Sequence, residues 1–154
     1  MLRIVTSSSD HADRVIKIWR DAVDATHDFL TPEDRQGIDA EVCAFLPAAP
    51  LWLAQSETGE VLGFMLLTPG DASAHMEALF IDPACHGQGV GRALVEHAIA
   101  LHGSITTDVN AQNPGATGFY LAMGFVETGR SPLDDQGRPY PLIHLSRPAP
   151  KPTD

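Results

Sequence analysis

Apolar residues recur along this chain at two periods. Val15, Ile18, Trp19 and Ala22 are spaced three and four apart, which predicts one face of a helix running to about Ala25, capped by Ser9 or Asp10. A second helix has a clear start, with Thr31 as N-cap, Pro32 at the first position and Glu33 and Asp34 in the first turn. It carries Ile38, Val42, Phe45 and Leu46 as its apolar stripe and should end before Pro47. Short runs over Arg3–Thr6, Leu51–Gln55, Val61–Leu67, Ala74–Ile81 and Ile105–Val109 read as strands, with Thr58-Gly59 turning between the second and third. A third helix is expected from Gly89 to about Leu101, with Val90, Leu94, Val95 and Ala98 on one face and Gly103 just beyond its end. A fourth spans Asn113 to Met123 and is closed by Gly124. Phe125–Gly129 and Tyr140–Leu145 form a last hairpin across the polar Asp134–Gly137 turn. No repeat or linker interrupts the pattern, so residues 1–146 are expected to form one domain and the proline-rich residues 147–154 a disordered tail.

Composition narrows the class. A chain of 154 residues that is 44% hydrophobic suits one packed core. The formal net charge of -10 disfavours DNA and RNA as partners, and it requires any anionic ligand to be held by local donors. No apolar run is long enough for a membrane span, and MLRIVTSSSD lacks a signal-peptide core. Cys43 and Cys85 stand far apart with no partner motif, so a reducing, cytoplasmic setting is expected. The sequence carries no signal for oligomeric state. A homodimer is the default, as the commonest soluble assembly.

The segment ALFIDPACHGQGVGR (Ala78 to Arg92) is the most specific chemical signal. A strand stops at Asp82-Pro83, glycines follow at 87, 89 and 91, and a helix opens. Such a turn aims backbone N–H groups from the positive end of a helix dipole, which suits a phosphate. Arg92-Ala93 after Gly91 excludes the nucleoside-triphosphate loop, which needs Gly-Lys-Ser/Thr. The GxGxG spacing, with no acidic residue near Ala111 and Gln112, excludes the dinucleotide fold.

A second motif, Asn113-x-x-Ala116-x-x-Phe119-Tyr120-x-x-x-Gly124-Phe125, lies one strand and one helix downstream. The pairing of HGQGVG with NPGATGFYLAMGF resembles the GNAT superfamily of N-acetyltransferases, and the order of elements matches from about Arg3 to Leu145. DATHDFL, HMEALFIDP and the PYPL run are similar to a small bacterial YjaB-like subgroup. The resemblance implies an α+β fold of α/β/α layers, in which a mixed, mostly antiparallel sheet of six to seven strands has helices on both faces. It implies acetyl-CoA as cosubstrate and direct transfer of the acetyl group to an amine in a ternary complex; no metal is expected, because His75 and Glu77 have no HxxxH or cysteine pair to complete a site. By the same resemblance Leu79, Phe80 and Ile81, the loop His86, Gly87, Gln88, Gly89, Val90, Gly91 and Arg92, and the helix cap Asn113 contact the CoA. His86 departs from the family's usual Gln or Arg. An imidazole is only partly charged at neutral pH, so the backbone amides should hold most of the anion.

Three chemical demands follow. An alkylammonium costs about 4–5 kcal/mol to deprotonate at pH 7, so a base helps. Alternation places His75, Glu77, Leu79 and Ile81 on one sheet face, which makes Glu77 the candidate, alongside its plainer role as an exposed strand carboxylate. The thioester oxygen gains negative charge, and the family resemblance assigns its stabilisation to a backbone N–H near Leu79 or Phe80. The departing thiolate needs a proton, and Tyr120 matches the family's general acid. For the acceptor, the resemblance points to the first two helices and the last hairpin, where Asp24, His27, Asp28, Tyr140 and His144 are available and a cationic amine would suit the acidic groups; His75, on the Ala74–Ile81 strand, is a further substrate candidate. Cys85 has no evident base and is not expected to carry an acetyl group. The competing reading is a non-catalytic CoA-binding or sensing module on the same fold, since fold alone does not fix function.

Overall fold

The computed structural model describes residues 2–149. Seven strands and four helices follow one another as β1 (Arg3–Thr6), α1 (Ala12–Thr26), α2 (Pro32–Phe45), β2 (Trp52–Gln55), β3 (Val61–Gly70), β4 (Ser73–Ile81), α3 (Val90–His102), β5 (Ser104–Asn110), α4 (Pro114–Ala122), β6 (Val126–Ser131) and β7 (Leu142–Arg147). The strands form one mixed sheet in the order β1-β2-β3-β4-β5-β7-β6. β1 and β2, β2 and β3, β5 and β7, and β6 and β7 pair antiparallel. The parallel β4–β5 ladder joins Ser73–Met76 to Ser104–Thr107, and beyond it β4 runs on to Ile81 and β5 to Asn110.

The chain forms two compact units, each drawn from two stretches of sequence. The first comprises the residues up to Leu66 together with Ala78–Val95. Its core joins Val15, Ile18, Trp19 and Val23 of α1 to Leu51 and Leu53 beside and within β2 and to Val61, Phe64 and Leu66 of β3. The second comprises Leu67–Glu77 and the residues from Glu96 onward. Here Met76, Ala98, Ile105, Val109, Phe125, Ile143 and Leu145 are buried, and the rings of Tyr120 and Phe125 meet edge-on at 5.2 Å.

Four local expectations need correction. Ser8, not Ser9 or Asp10, starts the first helical segment: it shares a capping box with His11 over a short 3-10 turn, Ser9–His11, and α1 follows. Phe45 is not a core residue; it is 57% exposed, and the helix leans on half-buried Ile38 and Val42 while Leu46 beyond its end is buried. α3 opens at Val90, after Gly89 has turned left-handed at φ +78°. The last two strands lie further along the chain than the alternation suggests. A bulge between Glu127 and Gly129 leaves an extra residue on β6, whose pairing with β7 runs on to Ser131, while β7 pairs with β5 through Arg147. β7 reaches the first residue of the expected tail; residues 150–154 lie outside the described residues.

Candidate active site

The glycine loop is built from the backbone upward. Asp82 ends β4 with its N–H donating to Leu62 O at 2.9 Å. Its Oδ1 accepts from Ala84 N at 3.0 Å, capping the short turn Pro83–Cys85. Its Oδ2 accepts from Arg14 Nη2 at 2.7 Å, while Arg14 Nε donates to Val61 O at 3.0 Å. Arg14 therefore anchors the loop entrance to α1 and β3, a role its place on a helix face gave no sign of. That guanidinium holds the Asp82 carboxyl below the usual carboxylate range, against the opposing pull of burial. Gly87 and Gly89 sit at φ +79° and +78°, and nothing lies within 4 Å of a Cβ built on either. Two left-handed residues before a helix N-terminus, with open space about them, are the backbone setting in which amides can meet an anion. The residues present thus fit the pyrophosphate of a CoA thioester.

Behind the loop, Gly63 of β3 lets three elements approach closely. A Cβ there would stand 2.8 Å from Ile81 Cδ1, 3.0 Å from Phe80 O and 3.1 Å from Val90 Cγ1. This position gave no signal in the sequence, because the contact is made by residues distant along the chain. Cys85 sits beside the loop with its thiol pushed up by burial and then by the charges of Asp82 and Glu60, so little thiolate is present for covalent chemistry.

In the second unit, Asn113 caps α4 through Oδ1, which accepts from Ala116 N at 3.2 Å. Tyr120 lies on the buried side of that helix, 7% exposed. Its hydroxyl donates towards Met76 Sδ at 3.9 Å. Burial pushes the phenol up to about 12, only partly offset by Thr107, so it stays protonated at any physiological pH.

One face of the second unit carries an array of polar side chains. Ala74 and Met76 of β4 are buried, while His75 and Glu77 between and beyond them are more open, as alternation requires. Glu77 is exposed; its Oε1 accepts from Thr68 Oγ1 at 3.1 Å and its Oε2 lies 4.0 Å from His75 Nε2. His75 Nδ1 hydrogen-bonds with Thr106 Oγ1 at 2.7 Å, and its Nε2 is 3.6 Å from Asp108 Oδ2. Asp108 Oδ1 in turn accepts from His144 Nδ1 at 2.6 Å. Asp108 was missed in the sequence. Only the register, which sets it opposite His144, reveals its role.

The residues expected to meet an acceptor are less uniform. Arg35 binds the exposed Asp24 through Nε at 2.8 Å and Nη2 at 3.3 Å, and also reaches Asp39, which Arg20 grips at 2.8 and 3.0 Å. Asp24 is therefore already paired with a cation. His27 is held in one tautomer. Thr26 Oγ1 donates its proton to Ala22 O at 2.8 Å, so the 2.7 Å contact with His27 Nδ1 needs the ring as donor, and Nε2 keeps its lone pair. Burial lowers the His27 pKa despite the nearby Asp28, which keeps the imidazole neutral. Tyr140 is buried at 5% exposure. Among the described residues, no cluster of three or more His, Cys, Asp or Glu could hold a metal, and no helix is long and apolar enough to cross a membrane.

The family described as Acetyltransferase (GNAT) domain matches residues 47–127. The chain is 51% identical over 148 residues to the peptidyl-lysine N-acetyltransferase YjaB of Salmonella typhimurium, covering 96% of this chain and 99% of that protein. The solution structure of apo-form YjaB from Escherichia coli superposes with a TM-score of 0.90 at 47% identity, covering 97% of this chain and 99% of that one. The PaiA N-acetyltransferase of Thermoplasma acidophilum, solved in complex with coenzyme A, shares the fold with a TM-score of 0.78 at 15% identity, over 96% of this chain and 99% of that one. The chain belongs to the GNAT family and is an acetyl-CoA-dependent N-acetyltransferase.

Proposed function

We propose that this enzyme acetylates the side-chain amine of lysine in peptides or proteins, by direct transfer within a ternary complex. The observation that carries the acceptor class is the near-full-length identity to a named peptidyl-lysine N-acetyltransferase. Acetyl-CoA supplies the acetyl group as an activated thioester. The loop holds its pyrophosphate through the amides of Gly87, Gly89, Val90 and Gly91 and the side chain of Gln88, whose own N–H turns back to Cys85 O at 3.3 Å, with His86 and Arg92 as charged assistance and the Asn113 amide reaching the pantetheine. Backbone N–H groups near Leu79 or Phe80 stabilise the charge that develops on the thioester oxygen, and Ile81 continues that contact strand.

Glu77 takes the proton of the lysine ammonium, directly or through one water, which frees the amine to attack. Its open position beside Thr68 supports this role, because a base must exchange protons with solvent after each turnover. Tyr120 gives its phenolic proton to the departing sulfur. Burial keeps the phenol protonated until the sulfur leaves, and the same desolvation raises the basicity of a thiolate expelled beside it. Asp24, His27, His75 and Tyr140 are assigned to the acceptor side. There the Nε2 lone pair of His27 can accept a hydrogen bond from the incoming amine or a peptide N–H. A reducing, cytoplasmic setting is consistent with the two free thiols.

The test is acetyl-CoA-dependent acetylation of a lysine peptide, an N-terminal-amine peptide and a small polyamine, read by mass spectrometry and by thiol release. The lysine peptide should react fastest. Tyr120→Phe should lower kcat roughly 10²-fold with little change in acetyl-CoA affinity. Faster acetylation of either other amine overturns the acceptor class, and unchanged turnover in Tyr120→Phe overturns the role of the phenol.

A further inference from the structure

β5, β7 and β6 set three side chains in a row on one face of the second unit. The register places Asp108 opposite His144, and His144 opposite Gly129, two residues before Ser131. His144 Nδ1 lies 2.6 Å from Asp108 Oδ1, and His144 Nε2 lies 2.6 Å from Ser131 Oγ. A carboxylate can only accept, so Nδ1 carries the ring proton. In the neutral ring Nε2 then carries the lone pair, and the Ser131 hydroxyl donates to it. These are the roles of nucleophile, base and orienting carboxylate, which define a hydroxyl activated for acyl transfer whatever the fold.

The surroundings keep the row aligned. Asp108 is approached from its other oxygen by His75 Nε2 at 3.6 Å. Thr128 Oγ1 donates to His144 O at 3.2 Å, fixing the strand where the bulge shifts the register. At Gly129 a Cβ would only just touch the imidazole, 3.7 Å from His144 Cδ2, so the ring lies across β6 towards Ser131. The His144 and Asp108 side chains are 34% and 23% exposed, within reach of a small molecule.

We propose that Ser131 is a base-activated nucleophile that gives the enzyme a second, acetyl-CoA-independent activity, the cleavage of small, uncharged, activated esters. Ser131 Oγ bonds to the acyl carbon as its proton passes to His144 Nε2, and that proton then goes to the oxygen leaving as the ester C–O bond breaks. Water, losing a proton to the same nitrogen, cleaves the acyl-serine, and the proton returns to Ser131 Oγ. Asp108 stabilises the imidazolium in both halves. β6 is the last strand in the sheet order, and an edge strand turns its outer amides to solvent, where one can face the developing oxyanion. The carboxylates of Asp108 and Glu77 disfavour anionic esters on this face.

The full-length enzyme, without acetyl-CoA, is given p-nitrophenyl acetate, and p-nitrophenolate release is followed. Ser131→Ala and His144→Gln should each lower the rate roughly 10²-fold, the usual size of a general-base contribution. Ser131→Ala should acetylate a lysine peptide as the parent does. A fluorophosphonate probe should label Ser131, and labelling should fall in Asp108→Asn. An unchanged rate in Ser131→Ala, with loss in His144→Gln alone, would identify the imidazole as the nucleophile and overturn the proposal. Probe attachment elsewhere would do the same, and labelling of the parent protein decides the matter even if a variant unfolds.

Discussion

The glycine loop and the polar face of β4, β5, β7 and β6 solve different problems with different materials. The loop is made of backbone: two left-handed glycines, a helix N-terminus, and one ion pair, Arg14 with Asp82, fixing its entrance. The polar face is made of side chains that meet only because strands far apart in sequence lie in register. The first should therefore tolerate changes of side-chain charge and resist any added Cβ. The second should tolerate changes of spacing in the loops and resist the loss of a single functional group.

The largest effect is expected behind the loop. Gly63→Ala sets a methyl against Phe80 O, which is backbone and cannot rotate away, so overpacking should cost about 1–3 kcal/mol. Thermal unfolding should show a drop of roughly 2–4 °C for each kcal/mol. An unchanged midpoint would mean that this approach is looser than described. Next comes the loop itself. Gly89→Ala forces a non-glycine residue into the left-handed region at about 1–2 kcal/mol, enough to weaken acetyl-CoA about 10-fold in calorimetric titration. His86→Ala should weaken it less. If the order is reversed, charge and not backbone holds the anion, and the contrast between the two regions fails.

The smallest effect concerns the loop's anchor. The Asp82 carboxyl is held below its unfolded range by Arg14, so the pair stabilises the fold above about pH 4, the unfolded value, and that gain is lost as acid titrates the folded carboxyl. Arg14→Ala should therefore lower the unfolding temperature near neutral pH, with the difference from the parent shrinking in acid. A difference that grew in acid would sink this account of the anchor.

These two materials also explain what could be read in the sequence. The loop, the α2 cap at Thr31 and the buried stripe of α1 are each written in consecutive residues, because spacing along the chain is spacing in space there. Tyr120 was legible as a motif, yet its depth was not, since burial depends on Phe125 and Met76 arriving from other elements. Gly129 is the residue type that marks a bulge, but its consequence for pairing appears only once β7 lies beside it. Gly63, Arg14, Asp108 and Ser131 gave no local signal at all. Each acts on partners in another element, from 13 residues away for Ser131 to 68 for Arg14, and no periodicity within one element encodes such a meeting.

The buried phenol of Tyr120 also sets an alkaline boundary. Its folded pKa, about 12, exceeds the value near 10 of an unfolded tyrosine. The unfolded chain therefore releases this proton first, and the second unit loses stability as pH climbs through that interval, by roughly 2–3 kcal/mol at its top. The same desolvation that reserves the proton for a leaving thiolate makes α4 the natural starting point for alkaline unfolding.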